Sequence, residues 1–282
     1  MTAAQLHEAA GFYPAAFHIA WRQALRAITT MEATMQTNRI VSRDEWLAAR
    51  TALLAKEKEF THARDRLSAE RRALPWVKID KTYVFDTTEG KRTLAKLFDG
   101  RSQLIVYHFM LAPGWKDGCI GCSFLVDHLD GALVHLAQRD VAFVAVSRAP
   151  LPEIEAYKAR MGWHFRWVSS HDTDFNYDFH VSFRPEEIAS GHVDYNYQTI
   201  AAEIEELPGA SVFVKDAGGA VYHSYSAFAR GLETMLGTYA LLDMTPKGRD
   251  EHGPRGDLSD WVKRHDEYGA AQPQGCCGGR HA

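Results

Sequence analysis

A chain of 282 residues, 46% of them hydrophobic, holds enough apolar material for one large domain or two small ones. Charged residues make up 24% and sum to a net charge of −4 with no Lys/Arg-rich block. That composition excludes wholesale disorder and lacks the positive surface a phosphate backbone requires, so no nucleic acid partner is expected.

The first residues carry no Lys or Arg before Arg22, and the apolar stretch Phe12–Trp21 is broken by Pro14 and His18. A secretory signal needs a basic start and an unbroken apolar run, and a membrane helix needs about 20 apolar residues. Neither is present, so the expectation is a cytoplasmic protein with no membrane partner. Residues 1–40 read as a helical extension. Ser42-Arg43-Asp44-Glu45 is a capping-box pattern and predicts a long amphipathic helix within residues 41–74, ending near Arg72. Trp46, Leu53, Phe60 and Leu67 recur every seven residues on it. This apolar stripe is suited to lie across a core or against a second copy in a homodimer.

Pro75 ends the helix. Trp76–Ile79 and Tyr83–Phe85 read as short strands, Asp86–Gly90 as a turn, and Leu94–Phe98 as a short helix. Leu104–Met110 is a nearly continuous apolar run, the mark of a central strand buried on both faces. A loop, residues 111–118, then feeds a helix predicted over Cys119–Gln138. Val141–Val146 is a second buried strand, Pro152 opens a helix to Met161, and Phe165–Val168 is a third strand. This alternation predicts a parallel sheet with right-handed crossovers. Ser211–Val214 and Val221–Tyr225 form an antiparallel hairpin, and a helix over Ala229–Leu242 completes a βαβαββα core within residues 75–245. Residues 246–282 are a polar extension with a short amphipathic helix near Leu258–Tyr268 and a Gly-rich tail holding Cys276 and Cys277.

Four cysteines occur, Cys119, Cys122, Cys276 and Cys277. Pairs this close in sequence shut almost no loop, so stapling is a poor use for them. Cys119 and Cys122 fall where a buried strand hands over to a helix. Unpaired amides and the positive end of the helix dipole favour a thiolate there. In such settings a cysteine pKa falls from about 8.5 to about 7 or below, raising the reactive anion at neutral pH from roughly 3% to about half. Cys119 at the mouth is the expected nucleophile, and Cys122, one turn deeper, the thiol that resolves a mixed disulfide. The bland readings are a metal half-site, completed from Cys276, Cys277 and His281, or two buried apolar cysteines.

Tyr107–Met110, Gly118–Phe124, Val146–Pro150, Met161–Trp163, Asp174–His180, Tyr225-Ser226 and Ala229–Gly231 together resemble a bacterial family of unknown function. That family is described as dithiol–disulfide oxidoreductases within the thioredoxin and peroxiredoxin superfamily. The resemblance spans roughly Val41 to Glu251. It implies a thioredoxin-like mixed α/β sheet flanked by helices and thiol–disulfide exchange, without naming a substrate. Two departures qualify it. Thioredoxins place Trp before the first Cys, where Gly118 stands, and a cis-Pro before the strand facing the thiols, where Ser211 is the expected occupant. Peroxiredoxins place Thr or Ser near their reactive Cys, where Lys116 and Asp117 stand. Thiol peroxidase is therefore the alternative activity, and a metal-binding or purely binding module the alternative class.

Three further residues are candidate substrate contacts. Arg148 follows a buried strand, at the sheet edge where open α/β folds bind ligands, and either steadies an anion or forms a surface ion pair. Trp115 either walls the thiol cleft or simply packs. Ser211 enters at the proline position. His108 and His128 read as structural histidines, and Phe175–Phe179 with Tyr195 and Tyr197 as core cover or a groove. No cofactor and no metal ligands are assigned. The expected partner is a thiol or disulfide, on a protein or a small molecule.

Overall fold

The computed structural model describes residues 38–201 and 203–269. The extension up to residue 37, and Cys276, Cys277 and His281, lie outside the described residues. The chain divides into two units, residues 1–68 and 69–282.

Helix α1 (Arg43–Arg72), whose residues up to Ser68 belong to the first unit, begins where the sequence places its cap. The Glu45 amide donates to the Ser42 hydroxyl at 3.3 Å, and the Ser42 amide donates back to the Glu45 carboxylate at 3.0 Å. Asp44 and Glu45 at the start and Arg71 and Arg72 at the end complement the helix dipole. Trp46, Leu53, Phe60 and Leu67 are all exposed.

The second unit is built on one mixed eight-stranded sheet. Its strands are β1 (Val77–Lys78), β2 (Val84–Thr87), β3 (Gly90–Thr93), β4 (Gln103–His108), β5 (Val141–Ser147), β6 (Trp167–Ser169), β9 (Gly209–Lys215) and β10 (Val221–Phe228). A separate hairpin pairs β7 (His192–Tyr195) with β8 (Gln198–Ala201). The main order is β1-β10-β9-β4-β5-β6-β2-β3. Strands β4, β5 and β6 run parallel, while β9 is antiparallel to β4 and to β10. With α3 (Ile120–Val126), α4 (Leu133–Gln138), α5 (Leu151–Met161) and α8 (Gly237–Leu242), this is the expected thioredoxin-like core. The short helices α2 (Leu94–Leu97), α6 (Phe175–Asp178) and α7 (Pro185–Ala189) complete the set.

Strand periodicity divides the interior in two. Tyr107, Phe109, Phe143, Ala145, Trp167 and Ala210 face one core, together with Cys122, Phe124 and Tyr157. Leu104, Val106, Val144, Val146, Val168 and Phe213 face the other, with Phe175 and Phe179. The thiols belong to the first.

Local structure departs from expectation where tertiary bonds or glycine win. The helix predicted over Cys119–Gln138 stops at Val126 and resumes at Leu133. Between them Asp127 accepts from the Trp163 indole at 2.7 Å, and Asp130 accepts from the His164 and Phe165 amides at 2.8 and 2.9 Å. These bonds tie the turn between the two helices to the segment Trp163–Phe165. The 19 residues Ile120–Gln138 have the length and composition of a membrane span, but the stretch is broken and partly buried. The helix predicted over Ala229–Leu242 is a 3₁₀ segment, Ala229–Met235, followed by α8. Gly231 and Gly237 weaken an α-helix there. In place of a helix at Leu258–Tyr268 only one 3₁₀ turn forms, Leu258–Asp260. The β7–β8 hairpin has only a weak sequence signal: Asn196 and Tyr197 turn it with positive φ, and Tyr197 stands where a glycine would normally announce the turn.

Candidate active site

Phe109, continuing from β4, donates its amide to the Val146 carbonyl, and the chain then loops out through Trp115 and returns to the sheet. The return is fixed by the Cys119 amide, which donates to the Met110 carbonyl at 3.2 Å. Cys119 is the N-cap residue of α3, with extended φ −53° and ψ 134°, and is partly exposed. Gly118 is required by packing. A Cβ there would meet the Phe109 ring at 2.6 Å and the Tyr157 ring at 2.8 Å, so a tryptophan before the first cysteine does not fit. Gly121 lets the helix start pass close to its surroundings, since a Cβ would lie 3.2 Å from Leu258 and 3.9 Å from Cys119 Sγ.

The two thiols are unlinked and differ sharply in environment. A hydrogen bond from the Cys122 thiol lowers Cys119 to about 7, against burial, with the Cys122 and Gly121 amides and the Arg264 charge adding to the effect. Burial, followed by the bond to Cys119, holds Cys122 well above the ordinary thiol range. Cys122 is 1% exposed. The neighbouring Tyr107, a phenol that burial keeps protonated, works against that rise. The arrangement is one accessible thiol with a lowered pKa backed by one sequestered thiol, with a buried phenol near the second sulfur.

A ring of hydrogen bonds surrounds Cys119. The Ser123 hydroxyl donates to the Cys119 carbonyl at 2.9 Å. Its oxygen lies 2.9 Å from the Tyr157 hydroxyl. Arg264 Nε donates to Tyr157 at 3.0 Å, while the same guanidinium reaches the Gly118 carbonyl through Nη2 at 2.7 Å and Nε at 3.2 Å. Thus both carbonyls flanking Cys119 are tied down. Arg264 belongs to the polar C-terminal stretch, which packs onto the body through buried Val262 and partly buried Leu258 and Trp261. Arg160 links Asp117 to Asp266, and His265 bonds Asp127 at 2.8 Å.

The other candidates fall elsewhere. Ser211 lies inside β9 paired with Val106, on the sheet face opposite Cys122, where its hydroxyl bridges His108 and Ser226 at 2.9 and 2.8 Å. Pro208 is the residue at the entrance to β9, and no cis peptide bond occurs among the described residues. Arg148 also points to the second core. Its guanidinium is consumed by Glu206, by Glu205 at 2.6 Å and by the Tyr177 hydroxyl at 2.7 Å. Burial raises the Glu206 carboxyl to about 7, and Arg148 and Ser182 oppose the rise. Trp115 is half-buried against the thiol-side core. His108 is pushed down to about 3 by burial and stacks on Phe175 and Phe179, so it stays neutral. His128 bonds Thr238. Phe175 and Phe179 are buried core, whereas Tyr195 and Tyr197 line a surface cavity of about 350 Å³ with Phe228. Sequence reasoning passed over Tyr107, Ser123, Tyr157 and Arg264. Tyr107 was available from strand parity with Phe109; Arg264 stands 146 residues from the carbonyl it holds and left no local signal. Among the described residues, no three His, Cys, Asp or Glu side chains are grouped to hold a metal ion.

Strand order and site together define a thioredoxin-like protein with a Cys-x-x-Cys pair at the helix start. Residues 35–268 match the family described as bacterial protein of unknown function (DUF899), and the chain belongs to that family. No curated protein matches the chain. Among solved structures it is similar to peroxidoxin BcpB from Mycobacterium tuberculosis, at 13% identity over 58% of this chain and 94% of that one, with a TM-score of 0.38. A mutant peroxiredoxin Q from Xanthomonas campestris is 15% identical over 56% and 90% of the two chains, also at 0.38. A candidate protein disulfide isomerase from Bacteroides thetaiotaomicron is 15% identical over 64% and 98%, at 0.34.

Proposed function

We propose that this protein is a thiol–disulfide oxidoreductase in which Cys119 attacks and Cys122 resolves. The observation that carries the reading is the opposed environment of the two sulfurs: Cys119 partly exposed and lowered to about 7, Cys122 buried and raised. The thiolate is the nucleophile, and a thiol with a pKa near ambient pH attacks best.

In the forward direction the Cys119 thiolate attacks one sulfur of a substrate disulfide. A bond forms between Cys119 Sγ and that sulfur, and the other leaves as a thiolate that takes a proton from water. Cys122 then attacks Cys119 Sγ, the Sγ–substrate bond breaks, and the remaining substrate half leaves as a thiol carrying the proton that Cys122 gives up. Two electrons pass from the cysteine pair to the substrate, leaving a Cys119–Cys122 disulfide. The neighbouring Tyr107 favours the Cys122 anion that must form before the second attack. The proposed partner is a disulfide or thiol of a protein or small molecule, and the proposed setting is the cytoplasm, where the resting pair is reduced.

Brief iodoacetamide labelling of the reduced protein, followed by mass spectrometry, tests the assignment. Cys119 is expected to be alkylated ahead of Cys122, at a rate that rises with pH and levels off above about 7. Cys122→Ser is expected to accumulate mixed disulfides at Cys119 in cells, and Cys119→Ser none. Preferential labelling of Cys122, or equal trapping by both variants, overturns the proposal.

A further inference from the structure

Arg264 sits far from the cysteines in sequence, yet it closes the ring around Cys119. Its side chain is 15% exposed, and every nitrogen has a partner: Nε and Nη2 on the Gly118 carbonyl, Nε also on Tyr157, and Nη1 on Glu267 at 2.9 Å. Donor counting gives the ring a direction. The single Ser123 hydroxyl hydrogen goes to the Cys119 carbonyl, so Tyr157 donates to Ser123 and receives from Arg264. One permanent cation is therefore held one residue from the reactive sulfur, and the peptide groups on both sides of that sulfur are aligned by the same set of bonds.

We propose that Arg264 is the positioning residue of the thiol site: its hydrogen bonds to Gly118 and Tyr157 hold the Cys119 backbone in its N-cap conformation and keep a fixed positive charge beside the sulfur. The polar C-terminal stretch is then a working part of the site. A guanidinium suits this role because its planar, always-charged group bonds two differently placed oxygens in a fixed geometry, whereas a lysine ammonium is a point charge on a flexible stem. An opposite charge near a thiol favours the thiolate. The lowered thiol of Cys119, to which Arg264 contributes, agrees.

The inference rests on the thiol reading above, but its test is separate. In the wild-type protein, a Cys119 alkylation midpoint near 7 examines the thiol reading. Only the displacement of that midpoint in variants examines Arg264. Arg264→Met is expected to raise the midpoint by about one pH unit, a tenfold loss of thiolate at pH 6. Arg264→Lys is expected to recover more than half of the shift. Tyr157→Phe retains the ring packing and the charge but removes the hydroxyl that links Arg264 to Ser123, and should raise the midpoint by about half a unit, roughly threefold in thiolate. Near-UV circular dichroism identifies which variants are folded, and if Arg264→Met is not, Tyr157→Phe decides. A wild-type midpoint in Arg264→Met, or in Tyr157→Phe where that variant decides, overturns the proposal. So does a lysine variant shifted as far as the methionine variant.

Discussion

Tyr107 and Cys122 are both buried, and a hydroxyl beside a sulfur in such a place has consequences for one step of the exchange and not the other. A hydrogen bond to a charged group contributes about 1.5–3 kcal/mol. Tyr107 favours the Cys122 anion, and the expectation is that it offers such a bond once that anion forms, after Cys119 has captured substrate. Tyr107→Phe is therefore expected to leave the first attack within about twofold of wild type. The mixed disulfide should survive tenfold longer or more, since about 1.4 kcal/mol corresponds to a factor of ten. Rapid-quench measurement of both phases with a small disulfide checks this; equal slowing of the two phases rules out a role confined to resolution. Arg148 teaches the reverse. An arginine at a sheet edge invites a functional reading, yet strand alternation carries it to the core away from the thiols, where Glu205, Glu206 and Tyr177 occupy it.

The loop and helix that present Cys119 depend on close packing at one glycine. Gly118 is buried with two aromatic rings inside the space a Cβ would take. Gly118→Ala is expected to destabilise the protein by about 1–3 kcal/mol, the usual cost of forcing a methyl into a filled core. Denaturant unfolding measures it, and an unchanged midpoint with an unchanged slope refutes the packing account. Helix α3 is short for a related reason. The residues after Val126 bond to Trp163, His164, Phe165 and His265, so the chain is drawn into a turn that fastens the helix to its neighbours.

Across the whole molecule, the cysteine pair closes too small a loop to hold the fold together. The loop-entropy relation gives about 2 kcal/mol for a loop of roughly four residues. For a chain of this size such a change moves a melting midpoint by about 4–8 °C at most. The lowered thiol of Cys119 works in favour of the reduced form. A thiol pKa below its unfolded value stabilises the folded state above the unfolded pKa, and that stability is lost as pH falls through about 7. At pH 8 the reduced and oxidised proteins are expected to melt within about 5 °C of each other in a calorimeter. A fall of about 10 °C or more on reduction would identify a structural staple.

The sequence by itself determined the elements whose signals are local. Leu104–Met110 and Val141–Val146 read as buried strands because apolar residues continue on both faces, and Ser42 with Glu45 marked a helix start within four residues. The place of Cys119 and Cys122 at a strand-to-helix junction followed from the same local signals. Only the tertiary structure decided which side chains share a face with the thiols. Tyr107 and Ser211 differ by one step of strand parity across β4 and β9, and that step sets Tyr107 against Cys122 and Ser211 against His108. It also decided that Arg264 belongs to the site. Hydrogen bonds between groups 146 residues apart depend on how the chain returns to the sheet, and no periodicity or spacing near either residue encodes that return.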